Sequence, residues 1–511
     1  MSSKSNTDTC CLTLPLRLEP WQADRLAKRF EIARQIYNTF VRAELKKLHR
    51  IQATPEYRAI QAKYRELCQH EGKHIAEFRQ LKTEKQKLLR AAGFELYTFM
   101  SDIVPYYKHF NTNIGSQVAA RSIATPVWTA FHKYVLGDGK RIHFKRPGDI
   151  RSLQGHSVSG KSGGREIIFH KDHIAWNGLK LPLKLNPRNP YETEMLTKRV
   201  KYVRILRKTG KTKDRWYAQL VLEGKPAIKR DPNTGAPVHP VGRGPVGIDI
   251  GPQTIAYSSE KEAALLELAD QVKNLEREKR LIQHKLDRSR RATNPDNYAP
   301  DGTIKRGVRL TRNKSRRYRK LQHQLAFLQS QQAELRVRQH TKLANHLLSL
   351  GDCFFVEAMV WPSLTRRAKE TEISEKTGKY KRKKRFGKSI ANKAPATLIQ
   401  ILTQKCSSLG IPGVVKVPLS IKASQYNHLT NTYEKKSLSQ RWNIMPDGRK
   451  IQRDLYSAYL LQHVSPQSNQ FDVDALHRDY EHFVTLHDNV ICELSHAPKT
   501  IASMGIVRTH S

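Results

Sequence analysis

One short stretch, residues 246–251 (Val-Gly-Ile-Asp-Ile-Gly), constrains the fold more than any other part of the chain. It is an apolar run with a single carboxylate, Asp249, in its middle, and such runs are typical of strands that are buried on both faces. A buried carboxylate is costly unless a partner neutralises it. Asp249 therefore either caps a turn at the strand end or meets a bound metal ion, and a metal site requires further ligands elsewhere in the chain.

The chain carries a large excess of positive charge. Its 511 residues include 91 Lys and Arg against 46 Asp and Glu, which gives a net charge of +45. The basic residues are spread along the whole sequence, and this distribution predicts long grooves that follow a nucleic-acid backbone. No segment reaches the roughly 20 apolar residues of a spanning helix, so no membrane partner is expected.

The termini and the cysteines predict a reduced, cytoplasmic protein. The N-terminal residues are polar and lack the apolar core of a secretion signal. Six cysteines are scattered over the chain without a Cys-x-x-Cys pair. So few cysteines in so long a chain do not make a disulfide framework, and their spacing does not indicate a zinc site.

The first part of the sequence predicts a helical lobe inserted into a small β structure. Residues 20–137 show helical periodicity, with a long helix from Pro20, further helices over 56–93 and 115–135, and breaks near Pro105 and Pro126. Alternating patterns predict strands on both sides of this lobe, and Asn177-Gly178 is a strong hairpin signal. We expect an antiparallel sheet or barrel formed by residues 1–19 and 138–223. The predicted strands are 11–18, 141–145, 166–170, 173–185 (the hairpin), 200–206 and 216–222.

Residues 155–162 match the P-loop pattern letter for letter. That motif binds phosphate only where a glycine loop joins a strand to the N-terminus of a helix. Here Gly163 and Gly164 follow directly, and then a strand-like run over 167–169, so a helix would be broken at once. We interpret the segment as a basic loop, and a P-loop ATPase acting on nucleic acid is a weak alternative.

The second part of the sequence follows a Pro- and Gly-rich linker at 224–245. After Asp249 we expect an antiparallel strand over 254–258 and a helix over 261–288. A strand at 353–359 contains Glu357, and a helix over 452–461 has Asp454 in its first turn, where a carboxylate is favoured. The remaining predicted elements are helices over 315–350, 394–409 and 472–494, a strand over 414–418, and a densely basic loop over 366–388.

Asp249, Glu357 and Asp454 are 108 and then 97 residues apart. Two lie on apolar strands and the third opens a helix, which is the order that an RNase H-like core needs. Carboxylate ligands suit Mg²⁺ or Mn²⁺, and two such ions can activate a water and stabilise the leaving oxygen of a phosphodiester. Each acid alone is weak evidence because buried acids also pair with arginine.

These motifs resemble those of the RuvC-type nuclease domain in the TnpB proteins of insertion sequences and in the related type V CRISPR effectors. The residues that carry the resemblance are 247–251 (GIDIG), Glu357 in 354–359 (FFVEAM) and 452–461 (QRDLYSAYLL), in the family's order. Tyr37 and Asn38 on the first predicted helix resemble the family's Tyr-Asn helix. A basic helical pair between the first two acids is also typical of the family.

The resemblance implies an RNA-guided DNA endonuclease of the α+β or α/β multidomain class. It implies a wedge-like β-barrel (1–19 and 138–223), a helical recognition lobe (20–137), a linker (224–245), a RuvC-like domain with a long helical insertion (246–464), and a C-terminal helix and tail (465–511). The implied partners are a guide RNA and double-stranded target DNA, and the implied location is the nucleoid of a prokaryotic cytoplasm. The implied catalytic and metal-binding residues are Asp249, Glu357 and Asp454, with two Mg²⁺ or Mn²⁺ ions.

Basic segments provide the candidate contacts to nucleic acid. Residues 288–320 hold twelve Lys or Arg and two Asp, which favours a nucleic-acid contact over a solvated loop. The loop 361–390 resembles the family's mobile segment beside the second acid. The candidate nucleic-acid contacts are Tyr37, Asn38, Arg290, Arg291, Arg316, Arg317, Lys381, Arg382, Lys383, Lys384 and Arg385.

The sequence departs from the family at the zinc ribbon. The family carries two Cys-x-x-Cys pairs between the second and third acids, whereas residues 420–449 contain no cysteine, and no zinc is expected. This departure leaves two alternatives open. One is an RNA-guided binder with weak or no cleavage, which acts as a repressor or targeting module. The other is an unguided RNase H-like transposase or nuclease, against which the long basic N-terminal lobe argues.

Overall fold

The computed structural model of the protein describes residues 7–69, 75–137, 139–156, 166–366, 370–371, 373, 378, 386–437, 439–498 and 500–507. The chain divides into two compact units, Met1–Ile228 and Lys229–Ser511. The boundary between them falls within the segment 224–245. In the described part of the chain no helix is long and apolar enough to cross a membrane.

The first unit combines a helical part with antiparallel sheets, as predicted. A π-helical segment, Ala119–Ala124, joins two of its helices, so the expected break near Pro126 does not occur. Its elements in chain order are β1 (Thr9–Pro15), α1 (Pro20–Gln52), α2 (Pro55–Gln69), α3 (Ile75–Ala91), α4 (Leu96–Asp102), α5 (Val104–Tyr107), α6 (Ser116–Val118), α7 (Thr125–Val135), β2 (Ser152–His156), β3 (Ile167–Phe169), β4 (His173–Trp176), β5 (Leu179–Pro182), α8 (Pro190–Leu196), β6 (Val200–Lys208) and β7 (Arg215–Glu223).

The strands of the first unit form two sheets. One has the order β1-β7-β6-β2 and the other the order β3-β4-β5, with antiparallel pairing throughout. The predicted hairpin is present, and Asn177 and Gly178 both have positive φ (39° and 77°), as a tight two-residue hairpin turn requires. The bridge between Leu16 and Leu183 connects the two sheets. The predicted barrel is not found, because the described strands do not close on themselves.

The strand predicted over 141–145 is wrong. The backbone of Lys145 is hydrogen-bonded to α1 instead of to a neighbouring strand: its N–H donates to Asn38 Oδ1 at 2.7 Å, and its carbonyl accepts from Asn38 Nδ2 at 2.8 Å. Arg34 donates to the same carbonyl at 3.2 Å. A tertiary contact with helix side chains thus replaces the sheet pairing that the alternating pattern suggested.

The P-loop-like segment begins inside a strand. Gly155 lies in β2 and pairs with Val203 of β6, so the first glycine of the pattern does not follow a strand as a phosphate-binding loop requires. A Cβ at Gly155 would come within 2.8 Å of the Ile167 side chain, which explains the glycine by packing. Residues 157–162 of the pattern lie outside the described residues.

The second unit contains a mixed sheet with helices. A 3₁₀ segment, Asp270–Leu275, precedes its first long helix. The other elements in chain order are β8 (Pro245–Ile250), β9 (Thr254–Ser258), β10 (Ala263–Glu267), α9 (Glu276–Thr293), α10 (Arg316–Leu350), β11 (Cys353–Glu357), α11 (Trp361–Leu364), α12 (Gly387–Lys393), α13 (Pro395–Leu409), β12 (Gly413–Val417), β13 (Tyr426–Asn427), β14 (Thr432–Tyr433), β15 (Trp442–Ile444), β16 (Lys450–Gln452), α14 (Arg453–Gln462) and α15 (Val473–His496).

The main sheet of this unit has the strand order β10-β9-β8-β11-β12. Strands β8, β9 and β10 pair antiparallel, whereas β11 runs parallel to both β8 and β12. Apolar side chains of α10 and α13 pack on one face of the sheet, and those of α14 and α15 pack on the other. The central strands are therefore covered on both sides, as their apolar sequences predict.

The predicted start of the helix over 261–288 is wrong. Residues 263–267 form β10, which pairs with β9 at the edge of the sheet, and helix α9 begins only at Glu276. Ala263 and Leu265 are buried while Leu266 is exposed, so the burial alternates as in a strand. The spacing of the apolar residues, Leu265 among them, is compatible with a helix as well as with a strand. Pairing with the free edge of β9 favours the strand.

Candidate metal and nucleic-acid site

Asp249 and Glu357 lie at the carboxyl ends of two neighbouring parallel strands. In the register of β8 and β11, Gly247 is opposite Phe355 and Ile248 is opposite Val356. Asp249 and Glu357 are the next two residues along these strands. Because residues in register on paired strands point to the same face, both carboxylates lie on the face that α14 covers.

Asp454 comes to the same face from α14. It is the second residue of that helix, and α14 packs directly against β8 and β9. Its side chain is largely buried, with 13% of its surface exposed. The start of α14 and the ends of β8 and β11 thus bring together three acids that are far apart in sequence.

The pKa of Asp249 shows that the three carboxylates interact. Burial raises it well above the usual range for an aspartate, and the charges of Asp454 and Glu357 raise it further. Arg453 and Arg441 oppose this shift. Asp249 is partly exposed, but the protein around its carboxylate excludes most of the water that would hydrate the charge. The cluster therefore holds more negative charge than the two arginines neutralise.

Glu357 lies close to the segment that follows β12. Burial raises the pKa of its carboxyl, and a hydrogen bond from the backbone N–H of Ala423 opposes that shift. Ala423 opens a short 3₁₀ turn, Ala423–Gln425, which leads into residues 426–452. The second acid therefore lies beside the start of the segment 420–449.

Two arginines hold the carboxylate of Asp454. Arg453 Nη2 lies 3.2 Å from Asp454 Oδ1, and Arg441 Nη1 lies 3.8 Å from Asp454 Oδ2. Arg453 also donates to the carbonyl of Gln440 at 3.1 Å, so it links Asp454 to the loop before β15. Among the described residues, no group of three His, Cys, Asp or Glu is arranged to hold a metal ion. The acids are electrostatic neighbours but not a preformed set of three ligands.

The donor set nevertheless fits a hard divalent cation. Three carboxylates provide only oxygen ligands, which suit Mg²⁺ or Mn²⁺. Burial, and after it the charges of the other two acids, raise the pKa of Asp249, and a bound cation would offset the repulsion among the acids. Asp249, Glu357 and Asp454 are the residues that would hold such an ion.

Tyr37 and Asn38 make contacts within the first unit. Tyr37 is 5% exposed within the core of the first unit, with Lys145 Nζ 5.5 Å from its ring centre. The side-chain amide of Asn38 is occupied by the backbone of Lys145. Both side chains thus have structural roles in the first unit, and their assignment to nucleic acid stays a prediction.

The arginines of α9 and α10 are exposed. Arg290 and Arg291 pair with Asp287, and Arg291 lies over the ring of Tyr298 with 4.6 Å between the guanidinium and the ring centre. Arg316 and Arg317 are exposed in the first turn of α10, where the helix dipole disfavours cations. Their assignment to nucleic acid stays a prediction. The other candidates, Lys381, Arg382, Lys383, Lys384 and Arg385, lie outside the described residues.

The structure reveals a basic groove that the sequence did not single out. A cavity of about 640 Å³ is lined by Gln253, just after β8, and by Arg277 and Arg280 of α9 and Lys388 of α12. We call it the α9–α12 groove. Lys388 is distant from α9 in sequence, so only the fold brings these cations together. The acidic Glu276 in the groove is hydrogen-bonded to Lys279 and Gln332. The charge that the groove offers to a ligand is therefore mainly the positive charge of its arginines.

The segment at the zinc-ribbon position is held by aromatic side chains. It forms two short hairpins, β13–β14 and β15–β16. His428 is buried, and its Nδ1 lies 2.7 Å from the hydroxyl of Tyr456 on α14. Burial lowers the pKa of His428 to about 4, so the ring is neutral. All six cysteines of the chain are free, and none lies in this segment.

Comparison with known proteins gives only distant similarity. No protein-family model matches the chain, and no curated protein matches it. Two similar solved structures are a cryo-EM structure of a Cas12f1–sgRNA–target DNA complex (12% identity, TM-score 0.41, 89% of this chain and 98% of that chain covered) and one of a CRISPR-Cas12f ternary complex (12% identity, TM-score 0.26, 86% and 82% covered). At this level of similarity they do not by themselves identify the activity of this chain.

Proposed function

We propose that the second unit is an RNase H-like nuclease domain of the RuvC type, and that the whole chain is an RNA-guided DNA endonuclease. The single observation that carries the nuclease proposal is the position of Asp249, Glu357 and Asp454. These acids are far apart in sequence, yet Asp454 and Glu357 lie close enough to Asp249 on one face of the central sheet for their charges to raise its pKa further after burial. Burying carboxylates close together without full compensation destabilises a fold, and a purely structural core would avoid it. A nuclease function explains why the chain has this cluster.

The strand order supports the RNase H-like part of the proposal. An antiparallel β8–β9–β10 sheet followed by the parallel strands β11 and β12 is the topology that such a core requires. The first two acids then lie side by side at adjacent strand ends, and a late helix adds the third. The guided part of the proposal rests on the resemblance of the motifs around these acids to the TnpB and type V families, and on the net charge of +45.

The residues of the site have separate tasks. Bound Mg²⁺ or Mn²⁺ would supply an activated water and stabilisation of the leaving oxygen. Asp249, at the end of the central strand, and Glu357, at the end of the neighbouring strand, would provide ligands on strand ends of the central sheet. Asp454 is held by Arg453 and Arg441, and both arginines must share this carboxylate with the ion. The α9–α12 groove offers phosphate contacts beside the turn that follows β8.

One observation favours a second candidate, a guided DNA-binding protein that cuts poorly. Arg453 and Arg441 already neutralise part of the Asp454 charge, and the described residues contain no preformed three-ligand metal group. Such a site binds a divalent cation only after the carboxylate of Asp454 has separated from Arg453 and Arg441. If that release is too costly, target binding would occur without cleavage.

The guided part is tested by purifying the protein from cells and sequencing the RNA that accompanies it. We expect enrichment of one structured RNA class, and DNA that matches its variable end should be cut in Mg²⁺. Absence of any discrete RNA would refute guiding. Binding of the matched DNA without a nick, at any concentration of Mg²⁺ or Mn²⁺, would favour the second candidate.

A further inference from the structure

The helix that carries Asp454 begins with an uncommon cap. The side-chain oxygen of Gln452 accepts hydrogen bonds from the backbone N–H groups of Asp454 (2.7 Å) and Leu455 (2.9 Å). Ser, Thr, Asp and Asn are the residues preferred at this position. The longer glutamine side chain also lets its amide nitrogen reach the carbonyl of Met504 at 3.1 Å. Gln452 is fully buried, and these contacts fix the orientation of its amide.

A buried histidine accepts a hydrogen bond from the backbone of the capping residue, Gln452. The backbone N–H of Gln452 donates to Nε2 of His487 on α15 at 3.0 Å. Because Nε2 accepts, the single proton of the neutral ring belongs on Nδ1, which lies 2.8 Å from the carboxylate of Asp488. His487 is 1% exposed, and burial lowers its pKa, which keeps Nε2 available as an acceptor.

We propose that His487 and Gln452 are positioning residues for Asp454, and that together they set the affinity of the acid cluster for a divalent cation. His487 fixes the backbone of Gln452, and the side chain of Gln452 fixes the first turn of α14. This inference rests on the proposed function, because it assigns Asp454 to the metal site.

The charges of the cluster explain why such support is needed. Asp249 and Asp454 carry like charges close to each other, which disfavours the close approach of the first turn of α14 to β8. First-turn N–H groups have no partners within the helix, so they are the bonds most easily lost. The Gln452 cap pairs two of them. A glutamine also does this without adding a fourth carboxylate beside three acids, as an aspartate cap would.

The test uses two substitutions of the histidine. His487→Phe keeps a ring of similar size but removes the acceptor, whereas the side-chain oxygen of His487→Gln can accept from the same N–H. We expect His487→Phe to speed amide hydrogen exchange at Asp454 and Leu455 at least tenfold, and to weaken Mn²⁺ binding at least threefold. Binding of matched DNA should be unchanged, and His487→Gln should restore exchange and Mn²⁺ binding to near the wild-type values.

Asp488→Ala provides a variant that does not touch the core. Asp488 is exposed, so its loss leaves packing intact but removes the group that fixes the Nδ1 proton. We expect smaller changes in the same direction. If His487→Phe does not fold, Asp488→Ala and His487→Gln decide the question: unchanged exchange at Asp454 in Asp488→Ala would overturn the proposal.

Other outcomes are equally decisive. Exchange that accelerates throughout α15 and the sheet would show a general loss of stability and overturn the positioning role. Faster exchange at Asp454 with unchanged Mn²⁺ binding would also overturn it. If the wild type binds Mn²⁺ and never cleaves, the nuclease proposal fails, but exchange and Mn²⁺ titration still test His487 and Gln452.

Discussion

Gly247 of β8 lies directly beneath Ala458 of α14, and a Cβ at Gly247 would come within 1.9 Å of the Ala458 carbonyl oxygen. The same Cβ would lie 2.3 Å from the backbone nitrogen of Gln462. Only glycine lets the helix approach the strand this closely. The distance between Asp249, two residues along β8, and Asp454, one turn before Ala458, depends on this contact.

Gly247→Ala should therefore displace α14. Backbone atoms cannot rotate out of the way as a side chain does, so we expect a loss of at least about 2 kcal/mol in the free energy of unfolding, measured by urea denaturation. Gly251→Ala is the control. Its Cβ would meet the Thr254 hydroxyl at 3.3 Å and the Thr254 carbonyl oxygen at 3.7 Å, so the loss should stay below about 1 kcal/mol. Equal stability of Gly247→Ala and wild type would contradict the close packing.

Removing Arg441 should ease cation binding. Its guanidinium is 3.8 Å from Asp454 Oδ2 and lowers the pKa of Asp249, so it competes with a cation for the same negative charge. We expect Arg441→Gln to lower the Mg²⁺ concentration for half-maximal cleavage by roughly threefold or more. Arg449→Gln is the matched control, because Arg449 pairs with Asp447 and Glu481 instead. A higher Mg²⁺ requirement in Arg441→Gln would contradict this balance.

The α9–α12 groove should contribute to nucleic-acid affinity through phosphates. Replacing both Arg277 and Arg280 with Gln should weaken binding of single-stranded DNA of any sequence and reduce the salt dependence of log K by about 0.7 per lost contact. Lys416 and Lys450 are exposed on β12 and β16, and their double Gln variant removes the same charge outside the groove. Equal salt slopes for the two double variants would show that the groove makes no special contact.

Glu44 should make the stability of the protein depend on pH. It is 4% exposed on α1, and burial raises its pKa from 4.5 to about 7. A raised carboxyl pKa means that the folded state favours the protonated form. The stabilising contribution is complete below pH 4.5 and is lost as the pH rises through about 7.

Glu44→Gln should accordingly be more stable than the wild type at pH 8.5, by on the order of 3 kcal/mol, and nearly equal to it at pH 5. The measurement is the midpoint of urea unfolding at the two pH values. Glu31→Gln serves as a control, because the ion pair with Arg34 lowers the pKa of Glu31 and its effect should have the opposite sign. A larger gain at pH 5 than at pH 8.5 would contradict the assignment.

The sequence located the elements that carry the acids because each has a strong local pattern. Residues 246–250 and 353–357 are apolar runs, and both form central strands. The helix predicted over 315–350 is present as α10, and the side chain of Ser315 caps it by accepting from the N–H of Tyr318. Local patterns also predicted the Asn177-Gly178 hairpin.

Contacts between distant residues account for what the sequence did not predict. Residues 263–267 form a strand because they pair with the free edge of β9. The backbone of Lys145 is hydrogen-bonded to Asn38 instead of to a neighbouring strand. The bond between His487 and Gln452, 35 residues apart, has no periodic signal at all. Nor did the sequence indicate that Arg441 would approach Asp454, because Arg441 lies in the segment 420–449, whose only sequence signal was its lack of cysteines.

The most direct test of the central claim is single-turnover cleavage of guide-matched DNA in Mg²⁺ by Asp249→Asn, Glu357→Gln and Asp454→Asn. Each substitution preserves the shape of the side chain and removes a negative ligand. We expect each variant to bind the target as the wild type does and to cut it at least about a thousandfold more slowly. Glu262→Gln, an acid of the same unit that pairs with His346, should cut normally. Wild-type cleavage by Asp249→Asn would contradict the assignment of this site.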